Sequence, residues 1–123
     1  MMDLYDLTFR DTYTYQVLHP ITKAPVPNED GSPQWVELYG ADTKQYRNAL
    51  AEVARLGIDD PTEKLIAFLA RITARWSITA GGKRPDVSEA AEIYPKFPAW
   101  LRDDTFAAAS TRANFFVETS ASS

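Results

Sequence analysis

The apolar pattern of this 123-residue chain changes period once, near residue 41, and that single change limits the fold more than any motif does. Upstream, TYTYQVL (12–18) is β-branched and aromatic with rough alternation, and QWVELY (34–39) sets Trp35, Glu37 and Tyr39 against Val36 and Leu38. A period of two puts successive side chains on opposite faces of a strand. The intervening HPITKAPVPNEDGSP has four prolines and an Asp-Gly step. It is too long for a tight turn. The expectation is a β-hairpin over 12–39 with an exposed, irregular, mobile tip.

From residue 42 the spacing turns helical. Asp42 or Thr43 can cap a helix with Tyr46, Ala49, Leu50, Val53 and Leu56 on one face, ending at Gly57 with Ile58 in the Schellman contact position. Asp60-Pro61-Thr62-Glu63 starts the next helix: the aspartate caps, proline loses no needed donor, and Glu63 can close a capping box. Leu65, Leu69, Ile72 and Trp76, widened by Ile66 and Phe68, extend its face through Trp76. Ser88 then caps a short helix over Glu89–Tyr94, and Pro98 opens a last one to Phe116 with Phe106, Ala109, Ala113 and Phe116 on a common face. Its alanine run lets another helix approach closely. The expected fold is mainly α within the α+β class, an N-terminal β-hairpin followed by four helices in one domain over 1–117. Residues 42–117 form the helical part, and a disordered tail covers 118–123.

Charge and composition narrow the function. Residues 1–40 carry six acids against Arg10 and Lys23, while 41–123 balance, so no basic stripe offers itself to a phosphate backbone and nucleic acid is not an expected partner. Without cysteine, disulfides and thiolate metal sites are impossible. No window approaches the roughly 20 apolar residues of a membrane span, and MMDLYDLTFRD is acidic where a signal peptide is basic. A soluble protein that stays where it is made is expected.

The chemistry-bearing residues are few. TAGGKRPD (79–86) invites a phosphate-loop reading, but that motif needs a glycine where Ser77 stands and a hydroxyl where Arg84 stands. A turn with Gly81 or Gly82 in the left-handed conformation is the better reading. His19, alone of its kind, sits in a proline-rich loop. Asp59-Asp60 reads as capping and Asp103-Asp104 as a negative first turn at a helix dipole. No catalytic residue, cofactor or metal is expected, so the chain does not read as an enzyme. Aromatics remain: YPKFPAW gathers three around two prolines, and NFF stands near the C-terminal end. Such residues serve either the core or a partner.

The order of segments resembles the tail assembly chaperones of long-tailed, lambda-like bacteriophages, from about Tyr13 to Phe116. The Pro/Gly-rich stretch leads into QWVELYGADTKQYRNAL, whose ADTKQYR resembles that family's helix start. LIAFLARITARWSI resembles its leucine-rich helix ending in Trp before a Gly-Lys loop. SEAAEIYPKFPAWLRDDTFAAASTRANFF resembles its helix, Tyr-Pro-Trp turn and final helix. Ala99 between Pro98 and Trp100, and a longer 19–34 loop, depart from the pattern.

The resemblance implies a chaperone that holds the tape measure protein soluble in the host cell cytoplasm and is absent from the virion. A longer, frameshifted form would recruit tail tube subunits. The expected client surface is Trp76, Trp100, Phe115 and Phe116, edged by Tyr94 and Phe97, with Lys83 and Arg84 steering an acidic segment. Homo-oligomerisation stays open. The rival is a structural virion component such as a head–tail connector or tail-terminator-like protein.

Overall fold

The computed structural model describes residues 7–79 and 83–118, with side chains described for 10–79, 83–111, 114 and 115. Its order is β1 (Leu7–Phe9), β2 (Thr12–Gln16), β3 (Trp35–Tyr39), α1 (Lys44–Leu56), α2 (Pro61–Ile72), β4 (Thr73–Trp76), α3 (Ala90–Ile93), α4 (Ala99–Ser110) and β5 (Phe116–Glu118), with 3₁₀ turns over Val87–Glu89, Tyr94–Lys96 and Arg112–Phe115. This is a small α+β domain with four helices and a three-stranded antiparallel sheet of order β2-β3-β4. β1 and β5 form a separate antiparallel pair in which Phe9 faces Phe116.

The hairpin of β2 and β3 forms as the alternation requires, Tyr13 opposite Leu38 and Tyr15 opposite Val36. Val36 and Leu38 are wholly buried. Burial on that scale is worth about 1.5–3 kcal/mol per side chain. The helical period, however, does not run through Trp76. α2 stops at Ile72, and Thr73–Trp76 pairs with β3, Trp76 opposite Val36 and Thr73 opposite Leu38. A register shift there makes Ala74 the extra residue of a bulge, so Thr73 and Trp76 both reach the core face. The physical reason lies in Thr73: its Oγ1 donates to the Leu69 carbonyl at 2.7 Å, taking up one of the carbonyls an ending helix orphans.

The cap chemistry acts as read at three places. Thr43 accepts from the Tyr46 N–H, Asp60 accepts from the Glu63 N–H with Pro61 beside it, and Gly57 takes the left-handed conformation at φ 65°. Elsewhere it is corrected. Asp86, not Ser88, accepts from the Ser88 N–H to start the 87–89 turn, and the helix expected over Glu89–Tyr94 is only Ala90–Ile93, followed by a 3₁₀ turn that holds Pro95. α4 ends at Ser110, so the expected run to Phe116 is broken, and Asp103 and Asp104 lie beyond its first turn. The Gly81 and Gly82 turn and the 119–123 tail lie outside the described residues, whereas Glu118 belongs to β5.

Helices α1, α2 and α4 meet through aromatic edges. The Tyr46 ring lies 4.8 Å from Phe68 and Phe68 lies 5.9 Å from Phe106, both T-shaped. Tyr46 and Ala49 form the buried face of α1, whereas Leu50 and Leu56, expected on it, are exposed. On the opposite face of the sheet, Glu37 accepts from Thr12 Oγ1 at 3.0 Å and from Arg75 Nε at 2.7 Å. The Arg75 bond, more than that of Thr12, holds the Glu37 carboxyl below its ordinary range.

The proline-rich excursion is folded, against the expectation of an irregular tip. Val17 donates to Gln34, Val26 to Val17 and Gln34 to Val26, wedging Val26 into the open end of the ladder. Asn28, 4% exposed, fastens it: Nδ2 donates to the Ser77 carbonyl at 2.8 Å, and Oδ1 accepts from the Thr79 N–H and hydroxyl. Ser77 Oγ in turn donates to the Pro33 carbonyl and accepts from the Trp35 N–H. Asn28→Ala would strand the Ser77 carbonyl and the Thr79 donors, costing about 1–3 kcal/mol in urea unfolding. Gly40 is a second close fit, because a Cβ there would lie 2.7 Å from two Phe115 ring carbons. Gly40→Ala should destabilise by roughly 1–3 kcal/mol and shift the Phe115 ring resonances.

Candidate partner-binding surface

The aromatic residues expected on a client surface divide sharply by burial. Trp76, Tyr94 and Phe115 are interior, with Tyr94 at 0% exposure. Trp76 reaches the core because β4 replaces the last turn of the expected helix, and its Nε1–H donates to the Pro85 carbonyl at 2.8 Å. Its ring lies 5.7 Å from Tyr94, and Phe97 lies 5.4 Å from Tyr94 and 6.4 Å from Trp76. Phe115 packs over Gly40 and 5.9 Å from Tyr13. These three side chains are therefore corrected from surface to core.

Phe97 and Trp100 are half-buried, while Lys83 and Arg84 are exposed. Phe116 contributes backbone to the β1–β5 ladder, and its side chain lies outside those described. Of the expected set, Lys83 and Arg84 line one depression together, and Phe97 and Trp100 are not among its lining residues. An open groove of about 420 Å³ is lined by Lys83, Arg84, Pro85, Asp86, Glu89, Ile93 and Lys96. The Trp76–Pro85 hydrogen bond holds one wall against the core, and the 3₁₀ turn that follows Ile93 begins at Tyr94 and is capped by Phe97. Lys96 was not singled out from the sequence. Its signal was the i, i+3 spacing from Ile93 across Pro95.

The groove offers three cations, two carboxylates and an apolar floor at Ile93. That set can hold an extended or helical segment bearing both carboxylates and apolar side chains, with long-range attraction affecting its rate of arrival. Arg102 braces the adjoining turn by donating to the Phe97 carbonyl. Among the described residues, no three histidine or carboxylate groups converge where a metal ion would sit. His19 Nδ1 accepts from the Ile21 and Thr22 N–H groups, which makes it the acceptor of a turn. No helix among the described residues is long and apolar enough to cross a membrane.

In the core, Thr73 and Tyr94 form a buried hydroxyl pair at 2.7 Å. Since the Thr73 proton goes to the Leu69 carbonyl, Tyr94 donates to Thr73 Oγ1. Desolvation pushes the Tyr94 phenol well above its ordinary value of 10.0, and the Thr73 bond only partly opposes this. A folded-state value raised above the unfolded one contributes stability that is complete below about pH 10 and is lost as pH rises beyond it. Denaturation midpoints should fall steeply above about pH 10, and Tyr94→Phe should flatten that fall while costing about 1 kcal/mol at pH 7.

No protein-family model, curated protein or solved structure matches the chain.

Proposed function

We propose that the chain is a non-enzymatic tail assembly chaperone of a long-tailed bacteriophage, binding the tape measure protein in the host cytoplasm before the tail tube forms around it. The observation that carries this reading is the order of segments from Tyr13 to Phe116, in which a proline-rich excursion, an ADTKQYR helix start, a leucine-rich helix and a YPKFPAW turn follow one another. The geometry supports it in two respects. ADTKQYR places Thr43 as the cap of α1, and the YPKFPAW turn leads from Ile93 into α4 beside a groove edged by Lys83, Arg84 and Lys96.

The client would enter that groove as an amphipathic, acidic segment. Its apolar side chains would meet Pro85 and Ile93, and its carboxylates would meet the three cations. Contacts of this size are modest individually, which suits a chaperone that must release its client during assembly. A longer form made by ribosomal frameshifting would carry the tail tube recruitment domain beyond β5.

Co-expression with the tape measure protein of the same phage tests this. The client should be soluble and co-purify with the wild-type chain, and Lys83→Glu with Arg84→Glu should reduce recovery at least tenfold without changing the circular dichroism spectrum. An insoluble client in both cases, or this chain as a stoichiometric component of purified particles, would contradict the proposal.

A further inference from the structure

A cavity of about 340 Å³ opens where β2, the proline-rich excursion and α4 meet, and it shares no lining residue with the Lys83–Lys96 groove. Tyr13 and Tyr15 line it from β2, two positions apart and therefore on one face of the strand. That is the face of their cross-strand partners Leu38 and Val36, but β2 is the edge of its sheet and both rings stay half-buried. The Tyr13 ring is fixed from behind by Phe115, 5.9 Å away. From the helix come Asp104, Ala107, Ala108 and Thr111, an i, i+3, i+4, i+7 stripe along α4 and its C-cap. The two alanines leave the helix surface low between Asp104 and Thr111, and Leu18 adds a further apolar lining.

The excursion and the helix line this cavity with polar groups of opposite kind. The excursion supplies donors. Lys23 brings its ammonium, and His19 Nδ1 accepts from the Ile21 and Thr22 N–H groups, so Nε2 carries the ring proton. The helix side supplies acceptors. Thr111 Oγ1 spends its proton on the Ala107 carbonyl at 2.7 Å, and Asn114 Nδ2 donates to the Ala108 carbonyl at 3.0 Å. The Thr111 lone pairs and Asn114 Oδ1 are left to accept beside the Asp104 carboxylate. Lys23 and Asp104 line the same cavity, yet neither forms an ion pair with the other or with any other described residue. Lys23 also holds φ at 60°, a left-handed conformation unfavourable for a residue with a Cβ, inside a turn closed by His19 N–H to the Ala24 carbonyl and Lys23 N–H to the His19 carbonyl. Strain of this kind clusters at ligand clamps. Burial, and after it the Asp104 carboxylate, raises the Tyr15 phenol above its ordinary range, which keeps that hydroxyl a neutral donor.

We infer that this cavity binds a small ω-amino acid, a carboxylate and an ammonium joined by an aliphatic spacer, with the carboxylate at Lys23 and His19 and the ammonium at Asp104, Thr111 and Asn114. Charge selects the class. A simple anion would meet Lys23 but be opposed by Asp104, and a simple cation would meet the reverse, whereas a zwitterion satisfies both. Because Lys23 and Asp104 do not pair across the cavity, the two ligand charges need a spacer between them. Leu18, Ala107 and Ala108 give that spacer an apolar bed, and the tyrosine rings favour the ammonium end. The volume lies at the lower end of the range for small-molecule sites. The Lys83–Lys96 groove does not offer the same pair of poles, since Lys83, Arg84, Asp86 and Glu89 alternate in sign along one segment. Both charges of the new site face water, so affinity is modest.

Amide chemical-shift mapping on the full chain tests the site, with 6-aminohexanoate as the probe and hexanoate and hexylamine as controls that each keep one charge. The probe should shift the Tyr13, Tyr15, Lys23 and Asp104 amides saturably, with a Kd on the order of a millimolar. Each control should bind about threefold to tenfold more weakly. Lys23→Gln and Asp104→Asn should each weaken the probe by a similar factor with unchanged circular dichroism. Should Lys23→Gln loosen its turn, Asp104→Asn on the exposed face of α4 still removes one pole. A probe that shifts nothing saturably, a control that binds as tightly as the probe, or shifts that appear at Glu89 and Ile93 instead would overturn the inference. Lys83→Glu with Arg84→Glu should bind the probe as the wild type does, so the chaperone proposal stands or falls separately.

Discussion

The hydroxyl of Thr73 is where the architecture turns. It satisfies the Leu69 carbonyl as α2 ends and accepts the Tyr94 hydroxyl from the far side of the core. Without a side-chain donor at that position α2 would carry an orphaned carbonyl into a buried setting, a cost of a few kcal/mol in water-poor surroundings. With it, the chain leaves the helix as a third strand and Trp76 arrives beside Val36. The Trp76–Pro85 bond then fixes the wall of the cationic groove. One short polar cluster thereby links helix termination, sheet size and the placement of the surface that a partner would see.

Much of this was legible in sequence wherever the signal was local. The Thr43 and Asp60 caps, the Gly57 ending and the 2-residue alternation of β2 and β3 are decided within a few residues, and they form as read. The strand over Thr73–Trp76 was not legible, because ARITARW satisfies a helical face through Ile72 and Trp76 as well as a bulged strand. Only the unpaired edge of β3 decides between them. β5 escaped for a similar reason: three residues gain strand geometry only by meeting Leu7–Phe9, more than a hundred positions away.

The same division holds for the candidate site. Counting aromatics mistook their depth, since Trp76, Tyr94 and Phe115 fill the interior while Phe97 and Trp100 are half-buried. Aromatic spacing carries no information about which side faces water once a helix becomes a strand. The exposed cations were easier to place, because Lys83 and Arg84 have no apolar alternative role. Asn28 was harder still: an asparagine in NEDGSP reads as a turn former, and its burial depends on Ser77 and Thr79, some fifty positions away.

The chain after Ile72 is a strand, not the last turn of a helix, and the core position of Trp76 depends on it. Nuclear Overhauser contacts in the labelled protein measure this directly. Cross-strand contacts are expected from Trp76 to Val36 and from Thr73 to Leu38, with the Trp76 indole N–H protected from exchange. Contacts of helical spacing from Ile72 to Trp76, with a freely exchanging indole, would contradict it and return Trp76 to the surface.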